Sequence, residues 1–315
     1  MEFTHAAVIG TGMMGPGIAL TLALAGVRTT LLSRTAEGAA RGVEKALALT
    51  HLLTAHELAD AGAVERAWGL VCGSAAFDDT IRSANLVVES APEHLAFKQQ
   101  LFEHMDRLAS PQAVLATNTS GLSVTAIASL CTHPERVLTM HFWNPPHLIP
   151  LVEIVKGENT SADVVDAVHR LLVACGKTPV VVKKDRPGQL GNRLQMALMR
   201  EAANIVAEGI ADAQDVDSVI RNGLGFRMPE YGTLEHMDLT GVDLAVSVME
   251  YVGRDLYNEP RAPELLHAMV RRGEVGARVG KGFYDWSVRS ADAVRARRDA
   301  FLVEALKWRR RTAGR

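Results

Sequence analysis

Short runs rich in β-branched residues alternate with longer helical stretches through the first half of the chain. These runs predict strands at residues 6–10, 29–33, 70–72, 86–89, 113–116, 137–141, 151–155 and 179–182. Between the fourth and fifth runs, apolar residues from Phe97 to Leu108 recur at helical spacing and predict a crossover helix. Because strands that alternate with helices form βαβ units, we predict a mostly parallel sheet covered by helices on both faces.

The pattern changes after residue 187. From Leu190 to Ile205 apolar side chains recur at helical intervals, and Glu208-Gly209 then suits a helix C-terminus. Almost nothing beyond this helix has a strand-like pattern. We therefore predict an α/β fold class, with an N-terminal, Rossmann-like, doubly wound sheet over residues 1–187. An all-α C-terminal domain is predicted over residues 188–315.

A glycine-rich turn follows the first predicted strand directly and opens a helix. Its residues, 10–15, have the pattern G-x-G-x-x-G. The first glycine of such a turn permits a tight bend, the second lets the backbone approach a pyrophosphate, and the third packs helix against strand. The helix N-terminus then faces the phosphates. The turn therefore predicts a dinucleotide cofactor, bound by Gly10, Gly12, Met13, Met14 and Gly15.

The end of the second predicted strand departs from the pattern typical of an NAD site. An acidic residue usually binds the ribose 2′-hydroxyl there, whereas this chain has Ser33 followed by Arg34. A carboxylate would repel a 2′-phosphate, while a hydroxyl and a guanidinium can bind one. We therefore expect NAD or NADP as cofactor, with NADP accepted or preferred. The alternative is an ordinary surface arginine and weaker NAD binding.

The segment with the most candidate catalytic side chains runs from residue 141 to residue 153. His141 ends a predicted strand, where the active sites of open α/β sheets collect. Asn144-Pro145-Pro146 forces a turn directly after it, and Glu153 lies in the next strand-like run. A carboxylate beside an imidazole fixes its tautomer and supports its protonated form. We predict that His141 and Glu153 form such a pair; the alternative is a core histidine and a surface glutamate.

Four segments together resemble the 3-hydroxyacyl-CoA dehydrogenase family, and the likeness extends from Val8 to Tyr284. They are residues 118–120, 141–153, 187–193 and 280–284. The resemblance implies an NAD(P)-dependent oxidoreductase that transfers a hydride from a secondary alcohol. It also implies a Rossmann-like domain followed by a helical domain that mediates dimerisation.

The resemblance further implies roles for single side chains. His141 would be the general base that takes the alcohol proton, with Glu153 as its carboxylate partner. Ser120 and Asn192 would hydrogen-bond the substrate oxygens, although either could instead cap a helix. The cofactor site would include Glu93, Lys98, Asn118, Asn144 and Arg278, of which Lys98 could also be a solvated surface lysine.

The substrate class stays open because residues 35–68 depart from the CoA-using members. Those members bind an anionic 3′-phosphoadenosine with the help of Ser and Lys residues there, whereas this stretch has few cations: Arg41, Lys45 and Arg66. Residues 144–150 also differ from the commoner Asn-Pro-Val form and look like relatives that oxidise sugar acids, carnitine or a pyridine carboxylate. Trp143 and His147 could contact such a ligand or simply pack. The candidates are a 3-hydroxyacyl-CoA, such as 3-hydroxybutyryl-CoA, and a small hydroxyacid or aromatic alcohol without CoA.

Composition limits the other classes of function. The net charge of −2 gives no electrostatic reason to expect nucleic acid, and no apolar run is long enough to predict a membrane span or a secretion signal. Three widely spaced cysteines suit reduced thiols in a cytoplasmic protein, and no spacing suggests a metal site. We expect a cytoplasmic homodimer that acts on a small molecule. The alternative outside the enzymes is a non-catalytic, crystallin-like protein, and the intact His141 and Glu153 argue against it.

Overall fold

The computed structural model describes residues 1–312 and contains an eight-stranded sheet. Its strands are β1 (His5–Ile9), β2 (Arg28–Leu32), β3 (Val71–Ser74), β4 (Leu86–Glu89), β5 (Val114–Thr117), β6 (Val137–Phe142), β7 (Leu151–Lys156) and β8 (Thr178–Val182). Each strand coincides with a predicted run to within one or two residues at its ends. The order across the sheet is β3-β2-β1-β4-β5-β6-β7-β8.

Helices fill the connections and dominate the second part of the chain. Those in the first part are α1 (Gly15–Leu24), α2 (Ala36–Ala55), α3 (Ala61–Leu70), α4 (Phe77–Ser83), α5 (Leu95–Leu108), α6 (Val124–Ile127) and α7 (Ala162–Ala174). They are followed by α8 (Gly191–Ala207), α9 (Ala213–Asn222), α10 (Leu224–Arg227), α11 (Thr233–Thr240), α12 (Val242–Val252), α13 (Glu264–Arg271) and α14 (Ala291–Thr312). Short 3-10 helices lie at Ala128–Leu130, Pro134–Arg136 and Ala277–Val279.

The central strands are buried on both faces, as their continuous apolar runs predict. Every residue of β4 and β5 is buried. Helix α1 is apolar on all sides and is buried from residue 15 to residue 23, which suits a helix in the core rather than at the surface. This core holds the carboxyl ends of β1, β4 and β5 rigidly side by side.

One strand reverses the parallel sheet. Strand β7 pairs antiparallel with β6, because the short connection between them, residues 143–150, is too short for a crossover helix. The other neighbouring pairs, including β7 with β8, are parallel. From β3 to β6 the order is that of doubly wound sheets, in which ligands bind where the strand order reverses. Here that switch point lies between β1 and β4.

The chain divides into two compact units, residues 1–193 with residues 297 onwards, and residues 194–296. This division differs from the predicted domains, which placed the whole C-terminal helix in the second one. Val303 of α14 is buried in the core of the first unit, and the Arg310 guanidinium donates to the Glu57 carbonyl at 2.9 Å. Because that contact joins residues 253 positions apart, no local pattern in the tail could indicate it.

The second unit is built from helices, with a turn at residues 276–285 that isolated β-bridges hold together. The predicted fold class, a doubly wound α/β sheet followed by a helical region, is therefore confirmed. Within residues 1–312 no helix is both long and apolar enough to cross a membrane.

Candidate active site

A cavity of about 1290 Å³ opens at the carboxyl ends of the parallel strands, beside the switch point between β1 and β4. It is lined by residues that follow β1, β2, β3, β4 and β5. The predicted site residues among them are Gly10, Gly12, Met13, Met14, Ser33, Arg34, Glu93, Asn118 and Ser120. Sequence reasoning missed the segment Ser90–Pro92, although its position after β4 is one where ligand contacts collect.

The glycine turn has the geometry that a dinucleotide requires. Gly10 has a φ of +104°, and a Cβ there would lie 2.6 Å from the Ser90 carbonyl oxygen. A Cβ on Gly15 would lie 1.8 Å from the Gly10 carbonyl oxygen, so only glycine lets α1 begin so close to β1. Around Gly12, by contrast, a Cβ would meet no atom within 4 Å. The open backbone at Gly12 and the N-terminus of α1 therefore fit an anionic pyrophosphate.

The end of β2 presents a hydroxyl and a guanidinium to the cavity, from Ser33 and Arg34. The first turn of α2 lies close to Ser33, since a Cβ on Gly38 would stand 2.3 Å from the Ser33 hydroxyl oxygen. Thr35 caps that helix by accepting from the Gly38 N–H at 3.0 Å. Among the described residues that line the cavity, Glu93 carries the only carboxylate and Arg34 the only guanidinium.

The antiparallel pairing of β6 and β7 places His141 directly opposite Glu153. The imidazole Nδ1 lies 2.8 Å from the Glu153 Oε2, and the side chains of both residues are almost fully buried. A hydrogen bond at Nδ1 leaves Nε2 for another partner, and no residue from 1 to 312 forms a hydrogen bond with it. The structure thus brings together the two residues that the sequence paired, with one ring nitrogen free for proton transfer.

The carboxylate of Glu153 accepts hydrogen bonds from four donors. Oε2 accepts from His141 and from the Trp143 indole N–H at 3.0 Å. Oε1 accepts from the Leu190 N–H at 3.0 Å and the Gly191 N–H at 2.9 Å, where α8 begins. Burial by itself raises the pKa of Glu153, yet the hydrogen bonds from His141, Gly191 and Trp143 together lower it to about 2. Glu153 is therefore held ionised and in a fixed orientation.

The loop after β5 connects the cavity to His141. The Asn118 side-chain oxygen accepts from the Phe142 N–H at 2.8 Å, next to His141. The Ser120 carbonyl accepts from the Asn192 side-chain amide at 2.6 Å. This hydrogen bond brings Ser120 and Asn192 together, and Ser120 is one of the residues that line the cavity of the predicted cofactor site.

Glu93 and Lys98, both predicted at the cofactor, differ in exposure although the Lys98 ammonium lies 3.6 Å from the Glu93 Oε2. Glu93 lines the cavity, and its Oε1 accepts from the N–H groups of Ser120 and Gly121 at 3.1 and 3.2 Å. The Lys98 side chain is 1% exposed, and its ammonium lies 2.6 and 2.7 Å from the two carboxylate oxygens of Glu89. Lys98 is absent from the cavity wall, because that buried ion pair holds its charge beneath the wall.

The two remaining predicted cofactor residues are Asn144 and Arg278. Asn144 is exposed in the turn between β6 and β7. Arg278 lies in the second unit, in the 3-10 helix Ala277–Val279. No group of three or more His, Cys, Asp or Glu side chains in residues 1–312 is arranged to hold a metal ion.

Sequence reasoning also missed the three donors that hold Glu153 besides His141. Trp143 was considered only as a ligand contact or a packing residue. The Leu190 and Gly191 donors are backbone groups, which leave no signal in side-chain patterns. A helix N-terminus that attracts a carboxylate could have suggested them, because Gly191 begins α8.

Models of one protein family match most of the chain. The model described as "3-hydroxyacyl-CoA dehydrogenase, NAD binding domain" matches residues 5–186, and that described as "3-hydroxyacyl-CoA dehydrogenase, C-terminal domain" matches residues 188–286. The 5-formyl-3-hydroxy-2-methylpyridine 4-carboxylate 5-dehydrogenase of Mesorhizobium japonicum is 31% identical over 94% of this chain and 95% of its own. A probable 3-hydroxybutyryl-CoA dehydrogenase of Bacillus subtilis is 33% identical over 92% of this chain and 100% of its own.

Solved structures show the same relationship. A crystal structure of a 5-formyl-3-hydroxy-2-methylpyridine 4-carboxylic acid 5-dehydrogenase, described as an NAD⁺-dependent dismutase, superposes with a TM-score of 0.90 at 30% identity and covers 100% of both chains. The 3-hydroxybutyryl-CoA dehydrogenase of Escherichia coli K12 superposes with a TM-score of 0.75 at 32% identity, over 92% of this chain and 61% of that one. The models of both family domains match this chain, and its sheet and helical second part agree with them. This chain therefore belongs to the 3-hydroxyacyl-CoA dehydrogenase family of NAD-dependent oxidoreductases.

Proposed function

We propose that this protein oxidises the secondary alcohol of a 3-hydroxyacyl-CoA, with His141 as general base. The observation that carries the proposal is the buried hydrogen bond between the His141 Nδ1 and the ionised Glu153, which leaves the imidazole Nε2 free. In the reverse direction the same group would return the proton to a 3-ketoacyl-CoA.

The cofactor and the residues around His141 have separate roles in the proposed reaction. NAD, when bound along the glycine turn, supplies the acceptor for the hydride. Glu153 supports the imidazolium that forms as His141 takes the alcohol proton at Nε2. Ser120 and Asn192 orient the substrate oxygens, and the hydrogen bond from the Asn192 amide to the Ser120 carbonyl holds the Asn192 side chain beside Ser120. Glu93 fixes the loop that carries Ser120, through the Ser120 and Gly121 N–H groups.

A second substrate class, a small hydroxyacid or aromatic alcohol without CoA, is supported by two observations. The superposition with the pyridine carboxylate dehydrogenase covers this chain completely and has a TM-score of 0.90, against 0.75 for the 3-hydroxybutyryl-CoA dehydrogenase. Residues 35–68, which form α2 and α3, carry three cations against five carboxylates. Such a stretch repels the phosphates of CoA rather than binding them.

The cofactor proposal is that NADP is accepted alongside NAD. Ser33 and Arg34 both line the cavity at the end of β2, where an NAD-specific site has a carboxylate. The Arg34 guanidinium is exposed and can form charge-assisted hydrogen bonds with a 2′-phosphate.

A panel of substrates and cofactors tests these proposals through the absorbance of the reduced nicotinamide. We expect acetoacetyl-CoA to be reduced, with NADPH and NADH giving kcat/KM values within about tenfold of each other. In Arg34→Ala we expect kcat/KM for NADPH to fall by about 10- to 100-fold, the range for lost charged hydrogen bonds, while kcat/KM for NADH stays unchanged. Arg28→Ala, at the other end of β2, is the matched control.

The substrate proposal and the cofactor proposal are each contradicted by a different result. Inactivity towards 3-ketoacyl-CoA of every chain length, together with turnover of L-carnitine or the pyridine carboxylate, would contradict the acyl-CoA proposal. It would support a small substrate without CoA. A preference for NADH of 100-fold or more in the parent protein would exclude the cofactor proposal.

We also propose that the chain forms a homodimer through its second unit; its cytoplasmic location stays a prediction. Helix α12 has apolar side chains all along its length, yet none of its residues is buried. Its exposed residues include Leu244, Val246 and Val248, and an apolar patch of this kind marks an interface. Light scattering is expected to give about twice 34.0 kDa for the parent and 34.0 kDa for a Leu244→Glu, Val248→Glu variant. A parent mass of 34.0 kDa would contradict the dimer.

A further inference from the structure

The oxygen of Glu153 that binds His141 has a second donor. Both the His141 Nδ1 and the Trp143 Nε1–H reach Oε2, at 2.8 and 3.0 Å. Among residues 1–312, the other oxygen, Oε1, accepts only from the two backbone N–H groups at the start of α8. The indole N–H and the imidazole therefore both interact with the negative charge on this one oxygen.

The indole is held in this position by its surroundings. A Cβ on Gly191 would lie 2.3 Å from the Cζ2 atom of the Trp143 ring, so a side chain at residue 191 would displace the ring. On its other side the indole lies against the His141 imidazole, with ring centroids 5.6 Å apart and planes at 49°. The hydrogen bond to Glu153 is thus part of a packed arrangement rather than a contact at the end of a mobile side chain.

We propose that Trp143 is a positioning residue that sets the proton affinity of His141 through the shared Glu153 oxygen. A donor on Oε2 withdraws negative charge from the carboxylate, which then supports the imidazolium less. Without that donor, His141 would bind its proton more tightly. It would remain protonated to a higher pH, so a smaller fraction of it would be free to take up the alcohol proton. Trp143 thereby sets the pH above which His141 is available as a base in the proposed reaction.

Few other charges reach this carboxylate. Strand β8, which lies beside β7, brings Val180 opposite Glu153. The start of α8 brings backbone N–H groups. Within the described part of the chain, His141, on β6, is the one titratable group whose charge helps to lower the pKa of Glu153. A change at Trp143 therefore acts on His141 with little interference from other titrating groups.

The direct test is an NMR titration of histidine-labelled full-length protein, which needs no substrate. The His141 resonance is identified by its absence in His141→Gln. In Trp143→Phe, which keeps an aromatic ring and removes the N–H, we expect the His141 titration midpoint to move up by about 0.5 to 1 pH unit. Trp308→Phe, on α14, is the matched control and should leave the midpoint unchanged. Trp143→Leu gives a second measurement if the phenylalanine variant is poorly folded.

Kinetics then separate this role from a merely structural one. Below the midpoint, kcat/KM for oxidation of (S)-3-hydroxybutyryl-CoA should fall by about 3- to 10-fold, the change that corresponds to that pH shift. Above it, kcat/KM for oxidation should stay close to the parent value. At each pH, reduction of acetoacetyl-CoA should change by the same factor as oxidation, because the equilibrium constant fixes their ratio. An unchanged or lowered midpoint, or an equal loss of kcat/KM at every pH, would overturn the inference. The kinetic part rests on the proposed function. A shifted midpoint in a protein that turns over neither compound would support the role of Trp143 and count against that function alone.

Discussion

Replacing His141 with glutamine is expected to lower kcat by about 10²- to 10⁴-fold, the usual contribution of a positioned general base. Glutamine is close in size to histidine and can still donate to Glu153, but it cannot take up the alcohol proton. Cofactor binding should persist, because the cavity walls at the glycine turn and the end of β2 do not include His141. The measurements are kcat for acetoacetyl-CoA reduction and the fluorescence of bound reduced nicotinamide.

The control for that loss is His267→Gln, a change of the same type at an exposed position of α13. It should leave kcat within a factor of two or so of the parent value, as most surface substitutions do. If His141→Gln retained the parent kcat, the general base would have to be another group. If it lost cofactor binding together with activity, the substitution would have disturbed the fold, and the kinetic result would not bear on catalysis.

Replacing Lys98 with methionine is expected to destabilise the protein by about 3–5 kcal/mol, the usual cost of leaving a buried charge unpaired. Glu89 has no exposed surface, and Lys98 is the only cation within 4 Å of it among residues 1–312. The remaining hydrogen bonds, from Thr117 at 2.6 Å and from the Ala91 N–H at 2.5 Å, come from neutral donors. The measurement is the free energy of unfolding in urea.

A double variant shows whether the unpaired charge causes that loss. Lys98→Met with Glu89→Gln removes both charges and keeps an acceptor for Thr117, so most of the lost stability should return. A single Lys98 variant within about 1 kcal/mol of the parent would show that the ion pair contributes little. A double variant no more stable than the single one would point instead to packing around the long lysine side chain.

Much of the fold follows from local patterns. The eight strands, the helix after the glycine turn and the change to an all-helical region at about residue 190 each depend on a period of two or of 3.6 residues, which a sequence displays directly. The glycine turn was equally predictable, since Gly10 and Gly15 occupy positions that no residue with a Cβ could take without moving the backbone. The position of Ser33 and Arg34 at a strand end, on the cavity wall, follows from the same reasoning.

The pairing of His141 with Glu153 was predictable only in part. The reversal at Asn144-Pro145-Pro146 indicates that the two strands meet, but it does not give their register. A slip of one residue would turn Glu153 to the opposite face of the sheet. The packing of both faces of the sheet settles the register, and only that packing makes the 2.8 Å contact possible.

By itself, the sequence determined the order of strands and helices, the place of the glycine turn and the choice of His141 and Glu153 as candidate partners, because each is encoded in neighbouring residues. Only the tertiary structure decided that Lys98 faces Glu89 rather than the cavity, that Trp143 and the start of α8 hold Glu153, and that Val303 belongs to the core of the first unit. In each of these cases the deciding contact joins groups that lie in different elements of the structure or that belong to the backbone. Such contacts produce no repeating pattern of apolar and polar residues. Such contacts exist only once the sheet and its helices have packed together.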